Sequence, residues 1–127
     1  MTSSIIISEA ERVRDIDDFI HDRWFSVQDV EHRKSANEVC IYYSDDPGID
    51  CRALSSVRGT PRAMRILVRN ATACEVQDTQ RILWYDFNYV LYDQQSGVLR
   101  FVTNIPTILR VRVSSVDLQI SECRASE

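Results

Sequence analysis

Acid–base chemistry would start from His21-Asp22 or from His32, because an imidazole beside a carboxylate is the usual proton-transfer pair near neutral pH. Sequence neighbours on a helix diverge by about 100°, so His21 and Asp22 are not expected to bond as a dyad. His32 reads as a half-buried ring on a sheet face. A cysteine nucleophile needs a base and an electropositive neighbourhood. Of Cys40, Cys51, Cys74 and Cys123, Cys51 comes nearest because it precedes Arg52, yet structural, reduced thiols are the favoured reading for all four. Asp45, Asp46 and Asp50 cluster as hard-cation ligands do, but D-D-P-G-I-D lacks the spacing of a calcium loop, so they read as solvated turn carboxylates and no metal is expected. The same stretch runs on through Arg52, Arg58 and Arg62 to Arg65 and Arg69. An acidic end meeting a basic end can recognise an anion or pair with itself, and self-pairing is favoured. These residues of the 44–62 stretch are the candidates for contact with a ligand or partner. There is no glycine-rich phosphate cradle, no G-x-S-x-G and no H-E-x-x-H, so no catalytic residue is assigned and no cofactor is expected.

Whatever these groups do, two similar stretches must position them. Trp24 to Tyr42 and Trp84 to Val102 are related by a displacement of 60 positions without a gap (84 − 24). Trp84 answers Trp24, Val90 answers Val30, Tyr92 answers His32, and Phe101 answers Ile41. The match is one of residue class in phase, which is what a duplicated structural unit requires. Each stretch predicts a β-hairpin. Gln94-Gln95-Ser96-Gly97 forms the second turn, whose last residue is expected to be left-handed, and Asn37 stands at that position in the first.

Ahead of the hairpins, Ser8-Glu9-Ala10-Glu11 reads as a capping box opening an amphipathic helix over 8–23, with Val13, Ile16, Phe19 and Ile20 on its apolar stripe. The stretch 44–62, with Pro47-Gly48, Gly59 and Pro61, interrupts any ladder and is read as an insertion carrying specificity. Strands are expected at 63–69, 72–78, 108–113 and 116–120, with the segment from 121 onward fraying. The fold class is therefore α+β: one N-terminal helix on a face of a mostly antiparallel sheet of about seven or eight strands, in two hairpin-containing halves of a single domain, 1–127.

A hydrophobic fraction of 44% and a charged fraction of 27% are ordinary globular values. A net charge of −4 argues against general nucleic-acid affinity, and no run approaches a membrane span or a secretory leader. The expectation is a small cytoplasmic domain of bacterial type that acts as a non-enzymatic binding or protein-interaction module. The alternative is a small enzyme with a site between the 44–62 loop and the end of the helix.

Association is expected from the faces of the second hairpin. Pairing Asp93 with Val98 places Val90, Tyr92, Leu99 and Phe101 on one face. Tyr89, Leu91, Val98 and Val102 then surround Arg100 on the other, where the first hairpin carries the more polar Glu31, Arg33, Glu38 and Cys40. One helix cannot cover both sides, so the second face either becomes the interior of a barrel or meets another copy in a homodimer, which is favoured.

Overall fold

The computed structural model describes residues 4–47 and 63–123. Its ten strands are β1 (Ser4–Ile7), β2 (Trp24–Ser26), β3 (Val30–Arg33), β4 (Glu38–Ser44), β5 (Ala63–Val68), β6 (Ala71–Gln77), β7 (Trp84–Asp93), β8 (Val98–Thr103), β9 (Ile108–Val113) and β10 (Leu118–Cys123). Every pairing is antiparallel, and the strands run in the order β1-β10-β5-β4-β2-β7-β8-β9-β6, with β3 alongside β4. The sheet is open: β1 and β6 end the path and do not pair with each other. It nevertheless folds over on itself. One apolar cluster takes Ile41, Tyr43, Ile66 and Ile120 from β4, β5 and β10 together with Val90, Leu99, Phe101 and Val111 from β7, β8 and β9.

Strand β7 is the hinge of this arrangement. Its first residues pair with β2 (Phe25 opposite Tyr85) and its later ones with β8, and an irregularity between Phe87 and Tyr89 leaves Asn88 as an extra residue. At this junction Phe25 stacks on Phe87 with ring centroids 4.6 Å apart, and the Tyr43 ring meets Phe87 edge-on at 5.7 Å. Such aromatic pairs contribute beyond the area they bury.

The helix is shorter than its apolar pattern suggests. Residues Ala10–Ile16 form a 3₁₀ helix and only Asp17–Ile20, here α1, is α-helical. The reason lies in a spacing of three. Ala10, Val13 and Ile16 eclipse one another on a 3₁₀ helix, and the ion pairs Arg12–Asp15 and Arg14–Asp17 have the same i,i+3 separation. The expected capping box does not form: Glu9 is the cap residue, and no side-chain hydrogen bond closes the end. Val13, Ile16 and Ile20 are buried in the common core, while polar groups of the segment bond the edge of β7. The Val90 amide donates to Asp17 Oδ1 at 3.0 Å, and the Asp22 amide donates to the Phe87 carbonyl at 2.8 Å.

The strand expectations hold in outline and differ in places. Both turns have their left-handed residue, Asn37 at φ 55° and Gly97 at φ 70°, and the pairs Asp93–Val98, Tyr92–Leu99 and Val90–Phe101 occur as anticipated. The first hairpin's opening strand, expected at 27–33, is shortened: a 3₁₀ turn at Val27–Asp29, where the Ser26 hydroxyl accepts from the Gln28 amide, leaves only β3, and β2 lies ahead of the turn. Residues 121–123 do not fray; they continue β10 against β5. The strand β1 is not foreseen, since Ile5-Ile6-Ile7 alternates with nothing polar and gains meaning only beside β10. Ten strands stand where seven or eight are expected, and the sheet does not close into a barrel.

The turn before β7 carries strain that one carboxylate offsets. Arg81 (φ 58°) and Leu83 (φ 68°) are both left-handed, a conformation costing non-glycine residues about 1 kcal/mol each. Asp78 accepts from the Ile82 and Leu83 amides at 3.0 Å and from the Tyr85 hydroxyl. The Tyr85 hydroxyl, helped by those amides, holds the Asp78 carboxyl below its ordinary 3.8. A depressed folded-state pKa gives stability that is present above the unfolded value and is lost as pH falls through the folded one. In urea titrations, wild-type stability should therefore decline more steeply below pH 4 than that of Asp78→Asn; parallel declines would show that Asp78 does not hold the turn. Gly97→Val should cost at least about 1 kcal/mol, because φ is positive and a Cβ there would lie 2.9 Å from the Val113 carbonyl oxygen. Unchanged denaturation midpoints would refute that reading of the turn.

Candidate functional site

The register of β7, β8, β9 and β6 assembles a hollow on the outer face of the second half. Alternation along each strand fixes which residues share that face, and pairing fixes who stands beside whom. One row reads Asp93, Val98, Arg112, Ala73 across the four strands; the next reads Leu91, Arg100, Arg110, Glu75. The hollow has a volume of about 640 Å³. Its inner-face neighbours Leu99, Val111 and Leu109 are fully buried, which locks the strands that carry the arginines.

Charge is unevenly compensated here. Arg100 stands directly opposite Arg110, and like charges opposed across an antiparallel pair repel. Arg110 finds Glu75 at 3.3 Å. The Asp93 carboxyl is held below its ordinary value by the Ser96 hydroxyl and the Gln95 amide, with the Arg100 charge assisting at longer range. Arg112 has no carboxylate within ion-pair distance among the described residues. Three guanidinium groups thus face two carboxylates, Glu75 at ion-pair distance from Arg110 and Asp93 within the longer-range field of Arg100, beside the apolar Leu91, Val98 and Ala73.

The residues singled out in the sequence are distributed as follows. Leu91, 39% exposed, and Val98 line the hollow with Arg100. Tyr89 lies farther along the same face, half-buried, with the Arg14 guanidinium 4.9 Å from its ring centroid, and Val102 is its cross-strand neighbour. These residues do not form a barrel interior, because the face is open to solvent. Asp45 and Asp46 are exposed; Asp45 accepts from Arg23 Nε at 2.9 Å, which ties the end of β4 to the residue before β2. Asp50, Cys51, Arg52, Arg58 and Arg62 lie outside the described residues. Among the described residues no group of three or more histidine, cysteine or carboxylate side chains could hold a metal ion.

His21 and Asp22 are closer than helical geometry allows, because α1 ends at Ile20 and Asp22 turns left-handed at φ 61°. His21 Nε2 lies 3.2 Å from Asp22 Oδ2, and Nδ1 lies 3.0 Å from the Asn88 carbonyl. A carbonyl only accepts, so Nδ1 is the donor in that contact. The pair is largely exposed, with no hydroxyl or thiol bonded to the imidazole among the described residues, so it ties the helix end to the bulge of β7 without forming a nucleophilic set.

The first-hairpin face expected to be solvated is not wholly so. Cys40 is fully buried; burial pushes its thiol up, against the opposing pull of a Tyr42 hydrogen bond and of Arg65 and Arg33. Cys40 and Cys74 are both free thiols.

Alternation along 108–113 turns Arg110 and Arg112 outward, but their meeting with Arg100 depends on the pairing of β8 with β9, which no pattern within either strand announces. No family model matches the chain, and no curated protein or solved structure is similar to it.

Burial alone pushes Cys74 to about 11, so at pH 8 only about one thiol in a thousand is ionised. Alkylation of Cys74 in the native protein, followed by peptide mass spectrometry, should be slow at pH 8 and rise about tenfold per pH unit toward 10. Fast modification at pH 8 would contradict the burial.

Proposed function

We propose that the chain is a non-enzymatic binding module, cytoplasmic in setting, and that the arginine-lined hollow receives a carboxylate- or phosphate-bearing ligand with a partly apolar body. The opposition of Arg100 and Arg110, with three guanidinium groups facing two carboxylates of which only Glu75 lies at ion-pair distance, carries this reading. Guanidinium forks suit planar, bidentate anions, and a hollow of about 640 Å³ falls in the range of small-ligand sites. Leu91 and Val98 provide apolar contact. The overall charge of −4 limits the partner further, since only a local positive field is available and a long polyanion would meet repulsion elsewhere.

A homodimer through the same face faces an electrostatic obstacle. An isologous interface brings equivalent patches together, so the arginines of both copies would converge unless each met a carboxylate of the other. This favours a partner that brings negative charge over a second copy docked face to face. The enzyme alternative gains one observation, the Arg23–Asp45 pair joining the end of the helical segment to the start of the 44–62 stretch. It lacks a nucleophile beside His21 among the described residues.

Titration with citrate, against sodium chloride at equal ionic strength, should raise the thermal midpoint of the wild type. Arg100→Gln should abolish that response while stabilising the unliganded protein by a few tenths of a kcal/mol, through relief of the cross-strand repulsion. No citrate response in the wild type, or an equal response in Arg100→Gln, would overturn the assignment.

A further inference from the structure

Beside the hollow, β6 ends the strand path among the described residues. At its start the Ala71 amide donates to the Asn37 carbonyl at 2.8 Å, which anchors the strand to the turn before β4. From there to Gln77 its only strand neighbour among the described residues is β9. A strand with one unpaired edge presents a row of amides and carbonyls on which another chain can build.

The two faces of β6 are unequally covered. On the inner face Cys74 and Val76 are only half-buried, whereas their partners Val111 and Leu109 on β9 are fully buried, so the core runs out of cover one strand early. On the outer face Ala73 lies directly opposite Arg112. An added strand would sit about 4.8 Å beyond β6, so one of its residues beside Ala73 would have its Cα about 10 Å from that of Arg112. Only a methyl group stands between them. A glutamate and an arginine together span that distance, and Arg112 is the guanidinium of the hollow with no carboxylate at ion-pair distance among the described residues. Beside Glu75, in contrast, an acidic residue would meet like charge, so the recognised pattern has its carboxylate opposite Ala73 and a neutral residue two positions away.

We propose that β6 is a docking edge for an extended acidic segment of a partner protein, which adds as a further antiparallel or parallel strand, its carboxylate passing over Ala73 to Arg112 while its alternate apolar side chains cover Cys74 and Val76. This rests on the reading of the hollow as an anion site and specifies the partner: main-chain bonds to the edge supply register, and Arg112 selects for negative charge. The segment needs apolar and polar residues in alternation, because only a period of two keeps one set against the core and the other above the arginines.

The probe is a fluorescein-labelled peptide, Thr-Val-Glu-Val-Thr-Val, followed by anisotropy. Three comparison peptides replace Glu with Gln, or carry N-methyl groups on alternate amides in either of the two phases. Wild type should bind the parent at least about tenfold more tightly than the Gln peptide, and Arg112→Gln, an exposed position, should bind both equally. At least one N-methylated peptide should lose binding, and amide exchange at β6 should slow when the parent is present. Equal binding of the parent and both N-methylated peptides, or unchanged exchange at β6, would overturn strand addition. Failure of the parent to bind while citrate still stabilises the wild type would also overturn it, leaving the hollow as an anion site. Failure of both would remove the two readings together.

Discussion

The stacking of Phe25 on Phe87 holds the molecule at the one point where its two halves share a strand. Strand β7 gives its first residues to β2 and its later ones to β8, and the change of partner coincides with the extra residue Asn88. A bulge of this kind bends the strand that carries it and sharpens its twist. The bend at β7 lets one sheet fold over on itself, and the buried rings of Phe25, Phe87 and Tyr43 fill the crease. The helical segment follows from the same constraint. Beyond Asp86 the β2 side of β7 would be a bare edge, and Asp17, His21 and Asp22 occupy it with bonds to Val90, Asn88 and Phe87. A polar stretch that looks in sequence like the outer face of a helix covering a sheet is in fact the cap on a strand.

The parts of this fold legible in the chain are those governed by a local rule. A four-residue turn needs a left-handed residue, and Asn37 and Gly97 are the side chains that tolerate it; from there, alternation sets the register of β7 against β8. Where two rules compete, reading fails. Val13, Ile16, Phe19 and Ile20 fit a period of 3.6 almost as well as a period of three, and the choice is made by the i,i+3 ion pairs and by the edge of β7. Strand β1 depends wholly on a partner more than a hundred residues away, and no pattern within Ile5-Ile6-Ile7 announces it.

The hollow was half legible. Leu91, Val98 and Arg100 are placed together by the second hairpin alone, and the outward direction of Arg110 and Arg112 follows from alternation in β9. What joins the two sets is parity: an outward residue must stand opposite an outward residue, so the partner of Arg100 on β9 has to be Ile108, Arg110 or Arg112. Attention falls instead on Asp45, Asp46 and the histidines, because carboxylates and imidazoles are the usual carriers of chemistry. The structure gives them bonds that position the chain: Asp45 to Arg23, His21 to the bulge. The charges left over are arginines on strands, where side chains are ordinarily read as solvated decoration.

The placement of β10 has a consequence for how the chain acquires this structure. β10 lies between β1, the first strand of the chain, and β5, so two segments made early are joined only through one made late. During synthesis from the N-terminus, the β4–β5 pair carries an apolar open edge until Leu118 and Ile120 leave the ribosome, and Ile5 to Ile7 have nothing to pair with for the same interval. Pairings of such long sequence separation form slowly, and their exposed edges are open to chance encounters while they wait. Translation speed would thus bear on the yield of folded protein more than it does for a domain whose neighbours in space are neighbours in sequence.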